Sequence, residues 1–168
     1  ESVRAVLRDN EALVQILIGT QAGVGILIDA QGIEVYPIAL KASDVQQMVA
    51  RLRRPFDVAI GAPFDLTLAA ELYEKLFGPV RQRLAKAEHV IIVPSGSLLS
   101  LPPGVLVVDA GASPAGPARY EAVAWMARQN AITVSPSVQS FANLRQRARP
   151  SAAAEPFFGF GDFVPARD

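Results

Sequence analysis

Cysteine is absent from this sequence. That removes thiolate catalysis, disulfide bridges and cysteine-ligated zinc from the chain's own repertoire, and leaves the redox compartment undetermined by that test. Charge of one sign is lacking as well: 16 Lys and Arg balance 16 Asp and Glu. No whole-molecule field therefore favours nucleic acid or an anionic membrane, although local patches are not excluded. No apolar run approaches the roughly 20 residues of a membrane helix, and Glu1-Ser2-Val3-Arg4 does not open a basic region followed by an apolar one. The expectation is a soluble, cytoplasmic chain without membrane or nucleic-acid partners. What the sequence does have is apolar residues, 51% of the total, and 13 prolines, a content that suggests one face is normally covered. A length of 168 residues fits a single domain over 1–168, which can bury about 70% of its unfolded surface without staples.

The densest apolar stretch is His89-Val90-Ile91-Ile92-Val93-Pro94-Ser95-Gly96-Ser97, followed by Leu98 to Leu101 and Pro102-Pro103. Its unbroken β-branched run reads as the central strand, dry on both faces. The apolar loop after it reads as folding back on the sheet. Upstream, Leu13–Ile18, Val24–Ile28 and Ile33–Tyr36 are separated by glycine-bearing breaks, the pattern of an antiparallel meander at a sheet edge. In the third run Glu34 and Tyr36 alternate with Ile33 and Val35, which predicts that Glu34 and Tyr36 share the wet face. Ser43 opens a capping box before a stripe of Val45, Met48, Val49 and Leu52, which Pro55 should end. Asp65 caps a second helix running toward Leu84, kinked at Gly78-Pro79.

Further on, Val105–Val108 is a second apolar run, 109–118 is a small-residue loop expected to be flexible, and 121–128 fits either helix or strand. Ala131–Val134 is a strand. Ser137 caps a last helix directing Val138, Phe141 and Leu144 inward, and Phe157 to Asp162 reads as a final strand. Arg51, Arg53 and Arg54, then Arg81, Arg83 and Lys86, then Arg145, Arg147 and Arg149 all read as solvated cations rather than anion or nucleic-acid sites.

The chemistry within reach is narrow. A hydrolase pairing His89 with Ser95 or Ser97 needs the two about 3 Å apart, yet six extended positions span roughly 20 Å. The segment also lacks a Gly-x-Ser-x-Gly elbow. His89 reads instead as a partly exposed strand-entry residue. Ser95, Ser97 and Asp162 fall beyond the carboxyl ends of strands, where open α/β sheets take small ligands, but no phosphate-binding glycine motif accompanies them. Capping and turning the chain is their plainer role. No cofactor and no metal site is expected.

Three places together resemble one family. Leu13-Val14-Gln15-Ile16, then Leu72-Tyr73 to Pro79, and above all Val90 to Pro102 followed by Ile132-Thr133-Val134-Ser135-Pro136-Ser137 resemble the first half of CHAT domains. These are caspase-like and separase-like modules of a cysteine-peptidase fold, often attached to TPR repeats. Phe157-Phe158-Gly159-Phe160-Gly161-Asp162 is similar to the family's strand ending in Gly-Asp. The resemblance implies a catalytic His and Cys beyond that strand, and neither can be carried onto a position of these 168 residues.

The expected fold is α/β, a three-layer α-β-α sandwich: a caspase-like hemidomain with the antiparallel meander at the sheet edge. The expected function is that of a non-catalytic, scaffolding half of a CHAT-type module, inactive alone, whose parent is a caspase-like peptidase. Its expected partners are the catalytic half, a TPR-type segment or a second copy. The alternative is a small-ligand-binding or protein-interaction domain with no protease connection.

Overall fold

The computed structural model describes residues 3–57, 63–109 and 117–148. The expected final strand at Phe157 to Asp162, and most of the 109–118 loop, lie outside them. A five-stranded mixed sheet organises the rest: β1 (Glu11–Ile18), β2 (Gly23–Asp29), β3 (Gly32–Ile38), β4 (His89–Val93) and β5 (Ala131–Val134). Their order is β3-β2-β1-β4-β5, antiparallel within the meander and parallel across β1, β4 and β5. β1 is thus the middle strand of the described sheet, with β4 beside it rather than at the centre. Val90 to Val93 are all buried, as their unbroken apolar run requires.

Helices cover both faces. α1 (Ala42–Asp57), α2 (Leu66–Phe77) and the short α3 (Arg81–Leu84) lie on one, and α5 (Val138–Arg147) on the other; the four-residue α4 (Met126–Gln129) leads into β5. The larger core joins Val14, Ile16, Val90 and Ile92 to Val45, Val49, Leu52, Leu72 and Leu76. The smaller one sets Leu13, Ile91 and Val93 against Phe141. Neighbours in a strand thus feed opposite cores, as the pleat dictates.

Asp65 caps α2 as expected, its carboxylate accepting from the Leu68 N–H. At Gly78–Val80 a 3-10 turn separates α2 from α3, since Pro79 cannot supply the N–H of a continuous rod. Ser43, by contrast, lies inside α1 rather than before it, because the Lys41 carbonyl already accepts from Asp44 and Val45. Nor does Pro55 stop α1: it occupies the last turn, and the helix runs on to Asp57. Pro37 is likewise inside β3. β3 is an edge strand, where a missing ladder donor is tolerated.

The face assignment of β3 is the reverse of the alternation argument. Ile33 and Val35 are 60% and 64% exposed, whereas Tyr36 is buried and donates to the Leu76 carbonyl at 2.9 Å. Glu34 pairs with Arg83 at 2.8 Å. A tyrosine's large ring favours the core once its hydroxyl finds a partner, and α2 supplies one. Burial, with the Glu34 charge adding, pushes the Tyr36 hydroxyl's pKa upward.

Gly25 lies opposite Tyr36 in the ladder, and a β-carbon there would fall within the tyrosine ring. Gly25→Ala is therefore expected to destabilise by about 1–3 kcal/mol, the usual cost of overpacking. Urea unfolding would check this, and an unchanged midpoint would count against the packing described.

Among the described residues no helix is long and apolar enough to cross a membrane. Val105–Val108 is not a strand: Leu106 and Val107 are buried, but among the described residues the ladder pairing there is an isolated bridge from Val107 to Trp125. The undecided stretch 121–128 spans the end of a 3-10 turn (Pro117–Ala122), that bridge and the start of α4.

Candidate functional site

At the carboxyl end of β4 the chain turns through Ser95, Gly96 and Ser97. Gly96 takes a φ of +56°, in the left-handed region that glycine enters without strain. The Ser95 hydroxyl accepts from the Ile18 N–H at 3.1 Å and so caps the last residue of β1. The Ser97 carbonyl accepts from the Ser100 hydroxyl at 2.8 Å. Leu98 and Leu101 bury themselves behind this turn. The void beneath them is about 20 Å³ and lined by apolar side chains. Asp162 lies outside the described residues. Ser95 thus ties the loop to β1, while the Ser97 carbonyl is bonded within the loop.

His89 begins β4 at the opposite end of the strand, and there the structure assembles what sequence reasoning missed. Its Nδ1 lies 3.0 Å from Glu11 Oε1, and its Nε2 lies 2.9 Å from Thr133 Oγ1. Glu11 is only 2% exposed. Its Oε2 accepts from the Arg8 N–H at 3.0 Å, and its Oε1 also accepts from the Arg145 guanidinium at 2.5 Å. Burial by itself would raise the Glu11 carboxyl's pKa. The bonds from Arg8, Arg145 and His89 outweigh that and hold it below its ordinary value. A charged Glu11 makes Nδ1 the donor, which leaves Nε2 of a neutral imidazole to accept from the Thr133 hydroxyl.

Carboxylate, imidazole and hydroxyl in that order are the relay of serine- and threonine-type hydrolases. Two features set the cluster apart from a working relay. Arg145 already neutralises Glu11, so the carboxylate is not reserved for a developing imidazolium. Thr133 sits within β5, where the Ala131 N–H bonds to the Glu88 carbonyl just before β4 and the Ser135 N–H to the Ile92 carbonyl within it, and by alternation its own N–H is committed the same way. The arrangement pins α5 across the amino ends of β1, β4 and β5.

The register that joins these residues is visible only in three dimensions: Glu11 pairs with His89 and His89 with Ala131 along the ladder. Arg145 was expected to be solvated, but its side chain is 24% exposed and lies over the Phe141 ring, 5.1 Å from its centroid. Leu144, expected inside, is 70% exposed, and Ala142 takes the core position. Arg83 also departs from its expected wet face: it binds Asp29, Glu34 and the Gly32 carbonyl. Arg51 reaches Asp65 at 2.9 Å, and Arg53 donates to the Ser100 carbonyl. Among the described residues no group of three or more His, Cys, Asp or Glu is placed to hold a metal ion.

The fold and this geometry define an α/β sandwich whose lone histidine is locked at the amino edge of its parallel strands. Comparison with known families matches residues 66–164, more than half of the sequence, to the CHAT domain, and the chain belongs to that family. No curated protein matches it. Among solved structures, the apo psk41 parM protein superposes with a TM-score of 0.31 at 10% identity, covering 82% of this chain and 39% of that one. The PilM-PilN type IV pilus biogenesis complex gives 0.30 at 15% identity, covering 62% and 35%. The chain spans less than half the length of either, and superpositions this loose bear on neither fold nor function.

Proposed function

We propose that this chain serves as the non-catalytic, scaffolding part of a CHAT-type caspase-like module, supporting a His/Cys pair that it does not itself carry. The observation behind this reading is the commitment of His89. The one imidazole in the sequence is held between Glu11 and Thr133 at the amino ends of the strands, while Ser95 and Ser97 cap and turn the chain at the other end. With no cysteine to act as nucleophile, the residues at hand are disposed to hold a sheet together. The partners of this scaffold are the catalytic half of the module, a TPR-type segment or a second copy.

The purified 168-residue chain is expected to show no peptidase turnover against caspase-type and separase-type peptide libraries. Turnover abolished by His89→Ala, Thr133→Ala or Ser97→Ala would overturn the reading and, in the first two cases, would make the Glu11–His89–Thr133 line a functioning relay.

A further inference from the structure

We infer that the aromatic cavity between α1, the lead into α2 and α4 is a binding site for a flat aromatic molecule bearing one anionic group. Among the described residues four rings line it. Phe56 lies in the last turn of α1, Phe64 immediately precedes the Asp65 cap of α2, Tyr120 lies in the Pro117–Ala122 turn, and Trp125 is the residue before α4. Phe64 meets Trp125 edge-on with centroids 5.8 Å apart, Phe56 tilts against Phe64 at 5.8 Å, and Tyr120 against Trp125 at 6.2 Å. Their mutual angles of 45–60° leave ring faces and edges open to a further aromatic guest in offset or T-shaped contact.

The cavity measures about 610 Å³, within the range of about 300–1,000 Å³ typical of small-molecule sites. The polar atoms on its rings already have partners. The Tyr120 hydroxyl accepts from the Phe64 N–H at 2.9 Å, and the Trp125 indole N–H donates to the Tyr120 carbonyl at 3.0 Å. These bonds brace the wall and leave it presenting apolar surface, so a guest loses no hydration that the wall must replace.

Among the described residues one charged residue lines the cavity, Arg128. It donates to the Glu121 carbonyl from one nitrogen, and a guanidinium carries five donors. The surplus suits a carboxylate, sulfonate or similar anionic substituent on an otherwise apolar body. Neither Ser95 nor Ser97 lines this cavity, so the site lies apart from the loop considered in the sequence, and it does not depend on the scaffolding role.

Trp125 is the one tryptophan, so its emission reports occupancy directly. The full chain would be titrated with 8-anilinonaphthalene-1-sulfonate and with its uncharged counterpart N-phenyl-1-naphthylamine, with calorimetry giving the stoichiometry. Expected are saturable, one-to-one quenching of Trp125 by both molecules and an unchanged far-ultraviolet dichroism spectrum. Ala127→Phe, which fills the mouth from an exposed position, should weaken both by about tenfold through lost space. Arg128→Gln should weaken the sulfonate by roughly fivefold and leave the neutral analogue unchanged. Unsaturable binding, indifference to Ala127→Phe, or equal response of both molecules to Arg128→Gln would overturn the assignment. So would sedimentation showing a dimer that the sulfonate dissociates, since the cavity's occupant would then be a second copy of the chain.

Discussion

Ile91→Asp is expected to leave the chain unfolded at neutral pH. Ile91 has no exposed surface, stands in β4 between β1 and β5, and packs with Leu13, Val93 and Phe141 beneath α5. An aspartate there loses the apolar contacts and brings a carboxylate into a place without water. The nearest polar partners along the same face, His89 and Arg145, are already committed to Glu11. Burying an ionised carboxylate without a partner costs far more than burying a hydroxyl, and even the protonated form lacks hydrogen-bond partners in this cluster. The total should exceed about 4 kcal/mol, against a stability of about 5–15 kcal/mol for a domain of ordinary size. Ile91→Val, which removes one methylene and adds no charge, should cost only about 1 kcal/mol. Thermal and urea unfolding followed by circular dichroism would separate the two. If Ile91→Asp melts like the parent chain, β4 is not a dry inner strand and the architecture built on it fails.

The reach of sequence reasoning follows from how local each cause is. Val90 to Val93 could be read because burial on both faces leaves an unbroken apolar run, a signal that needs no knowledge of neighbours. The Asp65 cap and the break at Gly78-Pro79 could be read because their causes lie within a single turn of chain. The meander could be read from its two short, glycine-bearing connections.

What failed were assignments decided by a partner far along the chain. Tyr36 turned inward because the Leu76 carbonyl on α2 awaited its hydroxyl, and Ile33 and Val35 were left outside because the described helices on their face do not extend over them. The cations misread as solvated, Arg83 and Arg145, each meet a carboxylate brought close by the fold: Asp29 at a separation of 54 residues and Glu11 at 134. Periodicity on one helix cannot announce a charge placed by another element.

The candidate site shows the same division. His89 could be recognised as a strand-entry residue and its distance from Ser95 and Ser97 could be reckoned along one strand. Its contacts with Glu11 and Thr133 depend on the registers of two parallel pairings, which adjacent residues do not encode. The aromatic cavity is likewise built from α1, the lead into α2, the turn before α4, and α4 itself, with no spacing in the sequence to mark it.

Removing the guanidinium of Arg83 should be the most damaging single change outside the apolar cores. Arg83 reaches from α3 to the turn joining β2 and β3, where it meets Asp29 from Nε at 2.8 Å and Glu34 from Nη1 at 2.8 Å, and donates to the Gly32 carbonyl at 3.0 Å. The side chains of Arg83 and Asp29 are 17% and 10% exposed. Arg83→Met keeps much of the apolar stem but strands a buried carboxylate, a loss of about 3–5 kcal/mol when one member of such a pair is removed. The double variant Arg83→Met with Asp29→Asn should recover part of it, because no charge is then left unpaired.

The dependence on pH distinguishes this account from simple loss of packing. Burial by itself would raise the Asp29 carboxyl's pKa; the Arg83 bond, with the Gln31 and Gly32 amides, outweighs it and holds the group below its ordinary 3.8. In the parent chain, a depressed folded value contributes stability that is fully present above 3.8 and is lost as pH falls through the folded value. Without Arg83 burial prevails, the folded value rises, and protonation of Asp29 in mild acid relieves the variant. The difference in unfolding free energy between parent and Arg83→Met should therefore be largest near neutrality and shrink as pH is lowered toward 3.8 and below. A difference that stays constant from pH 7 down to that range would mean that Arg83 acts through its stem alone and that Asp29 does not need its charge.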